Sequence, residues 1–321
     1  MIKEENKKST SGTVAIFGGS GFVGSGLINL LLLKNYRVKI ISRHSKRSIT
    51  GASPGVEWIR LKSFDITLIK NALTDVDVVI NTIGILHEDK KNRFKTIHVD
   101  LVEKICQSVD DLKIRKFIHL SALKASAAHA PSDYLKSKGL AEDKIKQMLG
   151  KRSTYCIVQP SLIFGDGAQS FNMFQYLVSY FPIIPLAKAS AMFAPVHVND
   201  VAQSVYQCLK SNDYDNQVIQ VYGSEKFNLK QILKLIAMAK NKKRVIIGLP
   251  DFLGVMQASF LEFIVPGKLM TRDNFKSLSI PSIGEENILE SMNIKPIKLS
   301  NWLNLHYNQY KDKISHYRDI I

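Results

Sequence analysis

The chain has 321 residues, 45% of them hydrophobic, enough to bury one large α/β domain or a domain with an appendage. Its formal net charge is +16, yet the lysines are spread along the whole chain and no aromatic-interleaved basic tract occurs, which argues against a nucleic-acid partner. No run of about 18 apolar residues is present to span a bilayer, and the polar, Lys-rich start Met1–Ser11 lacks the apolar centre of a cleaved leader. Cys106, Cys156 and Cys208 lie far apart within apolar stretches, so neither a disulfide framework nor a metal spacing is expected, and the chain fits a reducing, cytoplasmic compartment. The positive charge has two readings. One is compositional drift, since Lys, Ile and Asn are all plentiful; the other is a surface attracted to anionic lipids, a nucleotide or an acidic protein.

A polar tail over 1–12 precedes the first predicted strand, Thr13–Gly18, which breaks into Gly18-Gly19-Ser20-Gly21-Phe22-Val23-Gly24 and restarts as a helix over Gly21–Asn35. Strand, glycine turn and apolar helix are the context in which such a glycine pattern reads as a dinucleotide site. Gly18 permits the tight turn, Gly21 lets the backbone approach a pyrophosphate, and Gly24 lets the helix pack closely on the strand. The free N–H groups at the helix start then hold the phosphate charge. The second strand, Arg37–Ser42, ends in Ser42-Arg43-His44-Ser45-Lys46-Arg47. An acidic residue here would bind the ribose hydroxyls of NAD; hydroxyl and guanidinium groups at Ser42, Arg43 and Arg47 instead favour a 2′-phosphate, hence NADP(H) over NAD(H). A third strand, Val56–Leu61, leads to Asp65 and Ile66, placed to contact the adenine edge, and to a helix over Thr67–Leu73.

The fourth strand, Val76–Asn81, puts Asn81 at its carboxyl end, and a helix follows over Phe94–Asp110. The fifth, Lys116–Ser121, ends at Ser121; after it, on a helix over Ser132–Leu149, Tyr134 and Lys138 fall at i and i+4 on one face. A lysine ammonium beside a phenol favours the phenolate, so this pair could exchange a proton near neutrality, and the lysine could also bind a nicotinamide ribose. The sixth strand, Thr154–Gln159, runs into Pro160. Strands alternating with helices of this length predict right-handed βαβ units and a doubly wound parallel sheet over 13–165, with ligands beyond the strands' carboxyl ends. After about residue 165 the alternation breaks down and prolines punctuate short helices and a few strands, so 166–321 reads as a mixed C-terminal cap, partly integrated with the core.

Taken together, these residues resemble the extended short-chain dehydrogenase/reductase family. The resemblance rests on the Gly18/Gly21/Gly24 loop, Asp65, Ser121, Tyr134/Lys138, the segment Pro160-Ser161-Leu162-Ile163-Phe164-Gly165, and Val196-His197-Val198-Asn199-Asp200-Val201. It implies an NAD(P)-binding Rossmann fold in which Pro160, Ser161 and Ile163 also contact the cofactor. It implies, too, that in an active member Tyr134 is the general acid/base, Lys138 its electrostatic partner and Ser121 the carbonyl polariser. Gly-Ile-Leu-His-Glu (84–88), Phe-Ile-His-Leu-Ser-Ala-Leu (117–123), Pro-Ser-Asp-Tyr-Leu-Lys-Ser-Lys (131–138) and Leu-Met-Thr-Arg-Asp-Asn (269–274) look like the atypical branch that includes the nucleotide-binding accessory subunit of respiratory complex I. The departures from the active pattern are specific. Ala122 follows Ser121 where active members place a hydroxyl, His98 stands at the place of the helix asparagine that organises a relay water, and Gln159 replaces an arginine. The resemblance therefore implies an NADP(H)-binding accessory or assembly component of a respiratory NADH:quinone machinery, peripheral on the inner face of its membrane. An active NADP(H)-dependent reductase or epimerase of quinone or nucleotide-sugar metabolism is the alternative.

Two features remain outside that pattern. The apolar segment Leu249–Val265, flanked by Lys242, Lys243, Arg244 and Lys268, fits either a buried cap helix or a surface that docks on a membrane or membrane protein. His44, His87, His119, His129 and His197 show no metal-ligand spacing, so no metal site is expected.

Overall fold

Apolar strands and helices alternate along the first half of the chain in the computed structural model, which describes residues 10–43, 54–264, 271–286 and 288–307. In order they are β1 (Thr13–Phe17), α1 (Phe22–Leu33), β2 (Arg37–Ser42), β3 (Val56–Arg60), α2 (Ile66–Ala72), β4 (Val78–Asn81), a π-helical turn (Lys95–Asp100) running into α3 (Leu101–Asp111), β5 (Lys116–Leu120), α4 (Asp133–Met148) and β6 (Thr154–Pro160). The second half adds β7 (Ile163–Phe164), α5 (Gln169–Tyr180), β8 (Ile183–Leu186), β9 (Met192–Phe193), β10 (Val196–His197), α6 (Val198–Lys210) and β11 (Gln217–Val221). It closes with β12 (Phe227–Asn228), α7 (Leu229–Ala239), β13 (Val245–Gly248), α8 (Asp251–Ile264), α9 (Arg272–Ser277) and α10 (Ile288–Ser291).

The central sheet has seven strands in the order β11-β6-β5-β4-β1-β2-β3. Every pairing within it is parallel. β1 shows no polar alternation because helices cover both of its faces. Val14 and Ile16 pack with Leu27 and Leu31 of α1 and with Val201 and Val205 of α6. Ala15 and Phe17 point the other way, into side chains of α2, α3 and α4. The sheet reverses its order between β1 and β4, and this places a crevice at their carboxyl ends.

The second half contributes more to the sheet than its broken pattern suggests. α6 lies against α1, and β11 pairs in parallel with β6 from Gln217–Cys156 to Val221–Pro160. β11 is an edge strand that buries only Ile219 and Val221 while Gln217 and Val218 stay exposed, so it lacks the continuous apolar run of the inner strands. The cap itself packs α5 and α7 through Phe171, Phe174, Ile232, Leu233 and Ile236.

The segment read as either buried helix or docking surface has one packed face and one exposed face. In α8, Gly254 faces Phe275 and Ala187, whereas Phe252 is 67% and Met256 64% exposed. Beside it the β8–β13 ribbon exposes Ile183 and Val245. No helix among the described residues is long and apolar enough to cross a membrane. All three cysteines are free and buried.

A buried ionic contact ties the two halves together. Lys116, at the start of β5, is fully buried, and its ammonium donates to the backbone oxygens of Cys208 (2.8 Å) and Ser211 (2.7 Å) and pairs with Asp215 at 2.5 Å. It thereby satisfies carbonyls that the end of α6 leaves without helical partners, where a cation is also favoured by the helix dipole. Lys116→Met removes all three contacts. We expect a loss of about 3 kcal/mol in urea unfolding, the low end for a broken buried pair because Asp215 keeps some contact with water, with partial recovery on adding Asp215→Asn. A loss below about 0.5 kcal/mol, the size of an ordinary surface substitution, would show that Lys116 is not holding α6 to the sheet.

Candidate functional site

The glycine loop leaves β1 and folds onto the start of α1. Gly18 takes φ +79°, a backbone open to glycine, and Gly21 N–H closes the turn onto Gly18 O at 2.9 Å. A Cβ on Gly24 would overlap the Gly18 carbonyl oxygen and come within 2.6 Å of Gly19 Cα, so the helix can lie this near the loop only without a side chain there. α1 begins at Gly21 with no side-chain cap and no acidic residue in its first turn. Its leading N–H groups therefore lack side-chain partners and face a cavity of about 530 Å³ lined by Gly21, Phe22 and Val23. These features fit a pyrophosphate: backbone that can approach closely, open donors and a favourable dipole.

From the loop the cavity passes the carboxyl ends of β4, β5 and β6 and reaches the cap around residues 277–282. Ser121, Tyr134, Lys138, Pro160, Ser161 and Ile163 all line it, so residues far apart in sequence meet here. Asn81 does not line it: this fully buried amide donates to His119 Nδ1 (3.2 Å) and accepts from Ile83 N (3.1 Å), stitching the ends of β4 and β5 together beneath the floor. At the end of β2, Ser42 is buried and Arg43 is held in place. Its Nη2 donates to Asn92 Oδ1 at 2.9 Å, and its guanidinium lies 5.3 Å from the Phe64 ring centroid. Asn92 is braced in turn by Asp89, whose carboxyl those donors hold at about 2. Asp65 caps α2 by accepting from Thr67 N at 2.9 Å, with Ile66 the first helical residue. Arg47 lies outside the described residues, as do His44, Ser45 and Lys46.

The polar groups around Tyr134 are largely engaged inside the protein. Lys138 is buried on α4 and donates to Leu120 O at 2.9 Å instead of to the phenol. Burial pushes the Tyr134 phenol up to about 12, against the expectation that the lysine would lower it. Burial also takes the Lys138 ammonium down to about 8, outweighing the opposing pull of Glu142. Ser121 reaches the cavity wall, but its hydroxyl donates to Glu142 Oε1 at 2.5 Å, and Gln159 Nε2 donates to the same oxygen at 2.8 Å. His98, at the place of the relay asparagine, accepts from Ile85 N at 3.0 Å on Nε2. Its proton therefore sits on Nδ1, which donates to Ser137 Oγ (2.8 Å), and the Ser137 hydroxyl donates in turn to the backbone oxygen of Tyr134 at 2.7 Å. Burial lowers His98 to about 2, so this ring stays neutral. Ser161 ties the end of β6 to the cap by donating to Ser282 O at 2.7 Å.

Sequence reasoning passed over two residues that build the site. Glu142 sits one turn beyond Lys138 on α4, and the i, i+4, i+8 series Tyr134, Lys138, Glu142 was the available signal. Desolvation raises its carboxyl, which Ser121 and Gln159 partly offset. Asp273, within the 269–274 segment already noted, accepts from Asp133 N (2.7 Å) and Tyr134 N (3.0 Å) and so caps the helix that carries Tyr134 and Lys138. Nothing local in the sequence announces a cap supplied from 139 residues away.

Comparison with known proteins bears on the family and the fold. The family model described as NAD(P)H-binding matches residues 18–212. The chain belongs to that NAD(P)H-binding family. It is 26% identical over 241 residues, covering 73% of this chain and 66% of the relative, to the NADH dehydrogenase [ubiquinone] 1 alpha subcomplex subunit 9, mitochondrial, of Dictyostelium discoideum. It is 23% identical over 320 residues, covering 96% of this chain and 82% of the relative, to the NADH-ubiquinone oxidoreductase 40 kDa subunit, mitochondrial, of Neurospora crassa. A dTDP-glucose 4,6-dehydratase of Streptomyces venezuelae, solved with NAD and TYD bound, superposes with a TM-score of 0.74 at 14% identity, over 94% of this chain and 97% of that one. The fold is thus that of the extended short-chain epimerases and dehydratases, while the curated sequence relatives include respiratory complex I subunits.

Two measurements test the site. The ¹³Cε resonance of Lys138 in nucleotide-free protein should titrate near 8, not at the ordinary lysine value of about 10.4. Because the unfolded chain then holds the extra proton between those values, stability should rise with pH across that window; a midpoint above 10 would mean that the ammonium is not desolvated. Asp273→Ala removes two acceptors from the start of α4 and should lower stability by about 1–2 kcal/mol, measured by thermal unfolding; an unchanged melting temperature would rule out the cap.

Proposed function

We propose that the protein binds NADP(H) in this crevice and serves as an accessory or assembly component of a respiratory NADH:quinone oxidoreductase, using the nucleotide mainly as a structural ligand. The observation that carries this reading is the contrast between the two parts of the cavity. The phosphate end presents open backbone donors, whereas Ser121, Lys138 and His98 have their polar atoms committed to Glu142, Leu120 and Ile85. The backbone of Gly18, Gly19, Ser20, Gly21, Phe22, Val23 and Gly24 would hold the pyrophosphate, and Ser42, Arg43 and Arg47 the 2′-phosphate. Asp65 and Ile66 would lie at the adenine, with Asn81 under the crevice floor. Tyr134 and Lys138 would bind the nicotinamide ribose, bounded by Pro160, Ser161 and Ile163.

NADP(H) binding would stabilise the folded chain by mass action, about 2.7 kcal/mol at a hundred times its Kd. The curated relatives named as complex I subunits support respiratory-complex partners, and the exposed apolar residues of α8 and the β8–β13 ribbon, close in sequence to Lys242, Lys243 and Arg244, support a peripheral place on the membrane. A second reading, an active NADP(H)-dependent reductase or epimerase, is favoured by one observation: Tyr134 and Lys138 both line the cavity. In that case the nucleotide supplies a hydride, Tyr134 handles the proton, and the Ser121 hydroxyl must leave Glu142 to act.

Arg43→Ala should weaken NADPH binding by about ten- to a hundredfold, the size of a lost hydrogen bond to a charged group, and leave NADH nearly unchanged. Equal losses for both nucleotides would remove the 2′-phosphate assignment. After mild detergent extraction the native protein should migrate with a large NADH-oxidising complex. A small species that passes hydride from bound NADPH to a carbonyl, and stops doing so with Tyr134→Phe, would instead favour the enzyme.

A further inference from the structure

The far end of the cavity differs in chemistry from the end at the glycine loop. Leu86, Leu123, Leu162, Phe193, Leu278 and Ile280 line the cap side, bringing together the loops after β4, β5 and β6, strand β9 and the segment after α9. Three of the hydroxyls on this wall are already donating within the protein: Ser161 to Ser282 O at 2.7 Å, Ser277 to Ser132 Oγ at 2.8 Å and Ser121 to Glu142 at 2.5 Å. Among the described residues lining the cavity, Lys124 and Lys138 are the only cations, and no arginine reaches it. Lys138 donates to Leu120 O, and Lys124 pairs with Glu285 at 3.2 Å on the exposed side. The start of α5, at Gln169 and Ser170, also lines the cavity but brings no cation with it.

A phosphorylated sugar is recognised by charge-assisted donors, and a diphosphate laid along the aliphatic side chains of Leu123, Leu278 and Ile280 would have its charge left without partners. An uncharged chain meets no such penalty. We propose that the cap side of the cavity receives the hydrocarbon tail of an uncharged, carbonyl-bearing lipid-like molecule, lying beside the nucleotide. This rests on the nucleotide reading above and adds to it the class of the second ligand. The carbonyl would sit towards Tyr134 and the tail along Leu123, Leu278 and Ile280. The same apolar wall disfavours nucleotide-sugars, which the likeness of fold alone would suggest.

The test uses the full chain saturated with NADPH and titrated calorimetrically with 2-alkanones of increasing length, with UDP-glucose as the phosphorylated comparison. Affinity should rise about tenfold for every two methylenes added until the wall is filled, and UDP-glucose should bind more weakly than the longest ketone. Ile280→Trp and, separately, Leu123→Trp should lower ketone affinity at least tenfold and leave the Kd for NADPH within twofold, which also shows that each variant is folded. Ketone affinity independent of chain length, affinity indifferent to both tryptophans, or tighter binding of UDP-glucose would each overturn the proposal. If NADPH fails to bind, the nucleotide reading falls by itself; ketone titration of the nucleotide-free protein then decides the tail site by the same criteria.

Discussion

The contact on which this molecule turns is the approach of α1 to its own preceding loop at Gly24. Because no side chain stands between that helix and the backbone of Gly18 and Gly19, the helix axis begins at the switch point of the sheet rather than beside it. Its open donors are consequently aimed along the crevice instead of at solvent. The burial of Leu27 and Leu31 behind it, and the packing of α6 against the same face, follow from where that helix must lie. A methyl group at this position would displace the helix start by a distance that dense interior packing cannot absorb locally.

Charge inside the site is handled by pairing. The buried carboxylate of Glu142 draws the protons of Ser121 and Gln159, so a hydroxyl positioned at the cavity wall serves the interior first. Lys138 and His98 are treated alike: each is desolvated, pushed towards its neutral form and bonded to a backbone group. Such an arrangement is costly to disturb, because releasing any one member leaves a buried polar group without a partner. Rigid positioning is what it provides, and that suits a bound ligand better than a proton in motion.

Most of the sheet was legible in the sequence because its inner strands are continuous apolar runs, and runs such as Val14–Phe17 and Val78–Ile80 admit few other readings. The glycine loop was legible for the same reason: its spacing has a steric cause. What the sequence withheld is non-local. β11 is an edge strand with only two buried side chains, and its partner in the sheet lies about sixty residues earlier. Asp273 looks like any acidic residue in a short helix until α9 is laid across the start of α4. The Tyr134–Lys138 spacing identified the helix face correctly, but whether the ammonium meets the phenol depends on Leu120 O, a backbone atom with no trace in the pattern.

The path of the chain between β6 and β11 has a consequence for synthesis. After β6 the polypeptide leaves the sheet to build part of the cap, and only then returns with α6 and β11. While the first 160 residues emerge from a ribosome, α1 has no α6 to cover Leu27 and Leu31, and β6 presents an unpaired edge at Ile157 and Val158. The nascent chain must therefore keep an apolar face and a sticky edge uncovered until about sixty more residues arrive. A protein laid out in this way completes its nucleotide fold only once β11 has emerged, with about a hundred residues still to be added, and depends on being held soluble in the interval.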